Sequence, residues 1–144
     1  MGIKKIHKLE KTFVSFLNID GWDLKWSGKG YEHYDAKGKT PKGYECVIEM
    51  KFRNTYYKDK MLEEYKYKKL MEMDDKLVKL YLVVDPQGYY LFWLNNLIMP
   101  DTILMYCPDT TLWTSKKLKK SVYLLSEQDA SLTHYNTKDN YNIL

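Results

Sequence analysis

The sequence predicts an α/β fold in the order helix, three strands, helix, two strands. Three observations carry that order. Residues 5–17 (KIHKLEKTFVSFL) place apolar side chains at helical spacing. Residues 31–57 read as a β-hairpin with its turn written at the centre. Residues 77–84 (LVKLYLVV) form a nearly unbroken apolar run of strand length, the pattern of a strand covered on both faces.

The chain of 144 residues is expected to form one domain spanning 1–144, with its core in about 5–94 and an extension over 95–144. No apolar run reaches the roughly 20 residues that cross a bilayer, and the N-terminal MGIKKIHKLEK has no apolar signal core, so a cytoplasmic protein is expected. Cys46 and Cys107 stand alone and the three histidines are scattered, which argues against a disulfide framework and a His/Cys metal cluster. A net charge of +4 is compatible with a nucleic-acid partner without requiring one. The 14 tyrosines are open to two readings, as stacking surfaces for bases or as core and interface packing.

In the first helix Ile6, Leu9, Phe13, Phe16 and Leu17 make the apolar stripe, with Glu10 beside it. A short strand over 22–26 follows, then a turn at Gly28-Lys29-Gly30. In the hairpin, Thr40, Pro41 and Gly43 suit the first, second and fourth positions of a type I turn. The second arm alternates, with Tyr44, Cys46, Ile48 and Met50 on one face and Glu45, Val47, Glu49 and Lys51 on the other. After a loop over 53–58, a second helix is expected from Asp59 to about Asp74. Its stripe of Met61, Leu62, Tyr65, Leu70 and Met73 includes Lys66 and Lys69, which either lay their stems on apolar surface or point toward phosphates. Asp85-Pro86-Gln87-Gly88 is a turn before a strand over 89–94. Residues 95–112 read as loop-rich, with Pro100 and Pro108 as breakers and room for a short strand or helix turn between them, residues 121–125 as a strand, and the tail from Ser131 as loosely ordered.

Folding the hairpin about its turn brings Asp35 opposite or nearly opposite Glu49, since paired strands lie about 4.8 Å apart. Lys51, two residues on, shares the face of Glu49. Two carboxylates and a lysine so close can hold a hard divalent cation and polarise a phosphate, or else form a surface cross-strand charge cluster worth only tenths of a kcal/mol.

This order of elements, with Asp35 on the second strand and Glu49-x-Lys51 on the third, resembles the PD-(D/E)XK nuclease superfamily, and within it small phage-type endonucleases and Holliday junction resolvases. The likeness spans about residues 5–94. Tyr34 stands where the motif usually has proline. The resemblance implies a restriction-endonuclease-like αβββαβ core, with a central mixed sheet flanked by helices. It implies catalysis by Asp35, Glu49 and Lys51, with Glu10 as a further carboxylate. Mg²⁺, or Mn²⁺ in its place, would sit on Asp35, Glu49 and the Met50 carbonyl. His33 would lie on the strand face of Asp35, near metal or phosphate.

The implied partner is DNA, branched or junction DNA by preference, held by Arg53, Lys58, Lys60, Lys66 and Lys69. Lys116, Lys117, Lys119 and Lys120 either extend that track or form a solvated face. Cutting two strands of a junction symmetrically implies a homodimer. Residues 89–99 (YYLFWLNNLIM) are a candidate for its interface, or else part of the core. Restriction-like or exonucleolytic cleavage, and DNA binding without turnover, remain the alternatives.

Overall fold

In the computed structural model, which describes residues 2–28, 30, 32–108 and 117–135, the hairpin forms where its turn residues place it. The Gly43 N–H donates to the Thr40 carbonyl at 2.8 Å, and Gly43 takes a φ of 88°, which favours glycine. The two arms are β2 (Ala36–Lys39) and β3 (Glu45–Phe52), paired antiparallel with Ala36 opposite Ile48.

Before them come α1 (Ile3–Ile19) and β1 (Asp23–Trp26). The helix is tied to the strand by one side chain. The Asn18 amide oxygen accepts from the Leu24 N–H at 2.8 Å, and its NH2 donates to the Leu24 carbonyl at 3.0 Å. The buried stripe of α1 is Glu10, Val14 and Leu17, with Phe13 half-buried and Phe16 exposed. The face is therefore turned from the expected one, so that Glu10 lies within it and Phe16 outside it.

The apolar run becomes β5 (Val78–Asp85), parallel to β3 and followed antiparallel by β6 (Gly88–Trp93). The central mixed sheet has the order β1-β2-β3-β5-β6-β9, where β9 is Leu132–Tyr135. One face of this sheet, through Cys46, Ile48, Met50, Leu80 and Leu82, packs on Val14 and Leu17 of α1. The other, through Val47, Tyr81, Val83 and Phe92, packs on Leu62, Leu70, Tyr123 and Leu125. A large apolar side chain so buried contributes about 1.5–3 kcal/mol, so β3 and β5, covered on both sides, are the firmest strands.

The expected αβββαβ order is present with one strand added. Residues 59–63 are not the start of a helix. They form β4 (Asp59–Glu63), which pairs antiparallel with β8 (Lys117–Ser126), and only then does α2 (Glu64–Met71) begin. Tertiary pairing overrides the local helical spacing: Leu62 enters the core at 1% exposure, while Tyr65, expected in the stripe, is 66% exposed. With β7 (Ile103–Pro108) on its far side, β8 completes a second sheet of order β4-β8-β7.

The segment from Ser131 also departs from expectation, because residues 132–135 are β9 and edge the central sheet against β6. Lys29, Tyr31, Lys116, the Lys117 side chain and the tail beyond 135 lie outside the described residues. Tyr90, Leu91, Phe92 and Leu94 of the candidate dimer interface are buried in the core of the chain, while Tyr89 and Trp93 are half-buried. Among the described residues, no helix is long and apolar enough to cross a membrane.

Lys60 requires a further correction. Rather than facing DNA, it is 3% exposed, and its ammonium lies 2.9 Å from the Asp85 carboxylate. It also donates to the Tyr57 carbonyl and sits 4.0 Å from the centre of the Tyr90 ring. Asp85 is satisfied in turn by the N–H groups of Gln87 and Gly88 at 2.8 and 3.2 Å. Removing one partner of such a pair strands a buried charge. Lys60→Ala is therefore expected to lose about 3–5 kcal/mol of stability in urea unfolding, and an unchanged midpoint would contradict this account.

Candidate active site

β2 stops one residue short of the point where β3 carries its functional side chains. At that gap Asp35 takes over. Its N–H donates to the Ile48 carbonyl at 2.8 Å, and its carboxylate Oδ2 accepts from the Met50 N–H at 2.8 Å. The side chain thus continues the ladder that the backbone has left, and stands beside Glu49. Met50 directs its N–H toward Asp35, and in a strand the carbonyl of the same residue points to the same edge, so the Met50 oxygen faces the side of β3 on which Asp35 stands.

Glu49, 7% exposed, receives the Lys66 ammonium at 2.9 Å. Lys66, from α2, also lies 3.8 Å from Glu63 of β4, and Lys120 of β8 bonds Glu63 at 2.7 Å. Glu10 reaches the cluster from α1, where its Oε1 accepts from the Trp26 indole at 3.0 Å. Glycine at 28 leaves room for this contact, since a Cβ there would stand 2.7 Å from the same Glu10 oxygen.

Burial sets the electrostatics. It pushes the Glu49 carboxyl up to about 7, opposed by Lys66 and assisted by the charge of Asp35. Burial likewise raises Glu10 to about 7, opposed by the Trp26 bond and assisted by Asp35. Asp35 is raised by burial against the Met50 N–H and Lys66. Burial also holds Lys51 below its usual value, with Arg53 and Lys66 adding like-charge repulsion. For Lys66, burial lowers the pKa but the charge and bond of Glu49 prevail and raise it. Glu49 is the more deeply buried partner, its side chain 9% exposed against 37% for Lys66, so desolvation outweighs the ammonium in setting its carboxyl.

Glu10, Asp35 and Glu49 are therefore brought together, with Lys51 and Lys66 beside them. Lys66 is in the site itself, paired with a carboxylate. Arg53 and Lys51 line the same narrow recess as Glu49 and Lys66. Lys58 is exposed on the loop before β4, Lys69 is half-buried and 3.7 Å from Glu72, and Lys119 is exposed on β8. His33 is exposed, its ring centre 6.5 Å from that of Tyr65. Sequence reasoning missed Trp26 and Glu63, which join the cluster from separate elements and carry no local signal, and it read Lys120 as track or solvated face where the structure pairs it with Glu63.

Among the described residues, no three His, Cys, Asp or Glu side chains are grouped as a ready-made metal cage. The donor set still suits Mg²⁺, which usually takes one or two carboxylates and fills its remaining positions with water and phosphate. Asp35, Glu49 and the Met50 carbonyl are hard oxygen donors of that kind, and buried carboxylates raised in pKa are stabilised by a cation.

No family model matches the chain, and no curated protein matches it. Among solved structures it is similar to Hjc, a Holliday junction resolvase of the hyperthermophilic archaeon Archaeoglobus fulgidus. The identity is 13%, the TM-score 0.57, and the match covers 89% of this chain and 88% of that one. The chain thus shares the mixed α/β fold of that structure, with its central mixed sheet and flanking helices.

The raised carboxyls make stability depend on pH. An ordinary glutamate titrates near 4.5 and Glu49 near 7. Below the lower value both folded and unfolded states hold the proton. Between the two, the unfolded chain loses a proton that the native state keeps, so rising pH erodes stability. Without metal, the thermal midpoint is expected to fall between about pH 5 and pH 8, and Glu49→Gln to raise the midpoint at about pH 8 and flatten the slope. Calorimetric scans across that range check this, and an equal slope in the variant would contradict it.

Proposed function

We propose that this protein is a metal-dependent endodeoxyribonuclease of the PD-(D/E)XK type that hydrolyses phosphodiester bonds in branched DNA. The observation that carries the reading is the convergence of Asp35 and Glu49 at the β2–β3 gap, locked by the Asp35–Met50 bond. Lys51 follows on the same strand and Glu10 arrives from α1. A solved protein sharing the fold is a Holliday junction resolvase, which favours junction DNA as the substrate.

Asp35, Glu49 and the Met50 carbonyl would hold Mg²⁺, with Mn²⁺ as substitute. Bound there, the ion supplies a Lewis acid for the phosphoryl oxygen and lowers the pKa of water. The chain's own groups do the rest. Lys51, held below its usual pKa by burial, orients the attacking water and offsets charge developing on the phosphate. Lys66, 2.9 Å from Glu49 and partly exposed, stands where its ammonium would also meet a phosphate oxygen. Glu10 buffers the cluster, its proton exchanging near neutrality. Arg53, Lys58 and Lys69 contact the DNA backbone, and Lys119 extends the track.

Symmetric cutting of two strands would require two such sites, supplied by a two-fold dimer. Tyr90, Leu91, Phe92 and Leu94 do not serve that interface, being buried within the chain already.

The test is incubation with a four-way junction and a linear duplex of matched sequence, with Mg²⁺ and with chelator. The junction is expected to be cut faster, and chelator to stop the reaction. Glu49→Gln and Lys51→Ala should each lose at least about 10²-fold in rate while still shifting DNA on a gel. Full activity in either variant would sink the assignment. Faster digestion of linear ends would sink the junction preference alone.

A further inference from the structure

A second recess adjoins the carboxylate cluster. It has a volume of about 550 Å³, within the range of small-ligand sites, and opens between the end of β3, β4, β5 and β7. Arg53 and Met61 are common to its wall and to that of the narrow recess holding Glu49, Lys51 and Lys66. The two spaces are therefore neighbours that share Arg53 and Met61 in their walls.

The lining is suited to a nucleotide. Met61, Val83 and Leu124 supply an apolar floor, and Tyr57 and Tyr106 supply aromatic rings. Tyr57 and Tyr106 are 59% and 68% exposed, and the Lys119 ammonium stands 5.9 Å from the centre of the Tyr106 ring, so aromatic surface and positive charge meet at the cleft mouth. Charge favours an anion. Lys60 and Asp85 cancel as a buried pair, and Arg53 and Lys58 outnumber Asp59. Among the described residues, moreover, the Arg53 Nη2 atom is buried and finds no hydrogen-bond partner. Buried polar groups are rarely left so, and a guanidinium edge is shaped for the paired oxygens of a phosphate.

Resting on the nuclease reading, we propose that this recess receives one extrahelical nucleotide next to the scissile phosphodiester. Arg53 takes the phosphate of that nucleotide, and its base lies on the apolar floor against Tyr57 and Tyr106. Stacking on aromatic side chains is tolerant of base identity, and a nucleotide already unpaired costs least to turn outward. The protein would thus select DNA by the presence of an unpaired nucleotide beside the cut, as at a branch point, rather than by sequence.

Metal-free binding separates this proposal from the nuclease reading. Deoxyadenosine 5′-monophosphate, deoxyadenosine and inorganic phosphate are titrated separately into the full chain and followed by NMR. The nucleotide is expected to shift signals of Met61, Val83 and Tyr106, and to bind at least tenfold tighter than the nucleoside or phosphate. Arg53→Gln should abolish that advantage. In a second arm, a duplex with one unpaired nucleotide should bind at least fivefold tighter than its matched duplex, and Tyr106→Leu should remove the difference. Shifts absent from these residues, phosphate binding as tightly as the nucleotide, or equal affinity for the two duplexes would overturn the proposal. A protein that binds the nucleotide here but never cleaves DNA would keep this site and lose the nuclease reading, and the converse result would do the opposite.

Discussion

The bond from the Met50 N–H to the Asp35 carboxylate is where the fold and the candidate site meet. β2 pairs with β3 only as far as Ala36 opposite Ile48, and beyond it β3 would leave a buried amide without a partner. Asp35 meets that need with its side chain. In doing so it fixes a carboxylate at the edge of β3, beside the Met50 carbonyl and the next outward residue, Glu49. The Glu49 side of the sheet faces β4 and α2, and the Met50 side faces α1. The cluster is therefore reached by Lys66 and Lys120 from one direction and by Glu10 from the other.

Burial then separates this cluster from an ordinary surface charge group. Exposed cross-strand ion pairs are worth tenths of a kcal/mol and leave carboxyls near their normal pKa. Here Glu10 and Glu49 are both driven to about 7 by desolvation, despite the Trp26 indole and the Lys66 ammonium. A fold selected only for stability would be served better by apolar residues at these positions. Carboxyls held near neutrality, with protons ready to leave for a cation, are characteristic of a functional site. The buried Lys60–Asp85 pair shows the contrasting case. There the carboxylate is met by an ammonium and two N–H groups, and the pair joins β4 to the turn after β5.

What the sequence disclosed was what neighbours in the chain determine. The turn at Thr40–Gly43, the alternation of β3 and the doubly covered β5 are local patterns, and they sufficed to bring Asp35 against Glu49. What escaped depends on distant pairing. Residues 59–63 carry a helical stripe but become a strand because β8, some sixty residues later, offers a partner. The same strand draws Lys60 inward, so a lysine that reads as a DNA contact is an internal cation. β9 was hidden because a short polar strand at a sheet edge has no pattern to distinguish it from loop. Periodicity placed Glu10 only beside the helix stripe, and its part in the site came from the resemblance alone; in the structure it is buried, with its carboxylate accepting from the Trp26 indole.

As proposed, Asp35 and Glu49, with Glu10 behind them, would hold a divalent cation, and their protons would leave as the ion enters. Calorimetric titration of Mg²⁺ into the protein at about pH 6.5, in two buffers of different ionisation enthalpy, measures binding and proton release together. Saturable binding is expected, with an enthalpy that differs between the buffers because Glu49 and Glu10 give up protons. Both the binding and the buffer dependence should vanish in Asp35→Asn. Absence of saturable binding, or an enthalpy equal in the two buffers, would contradict the account.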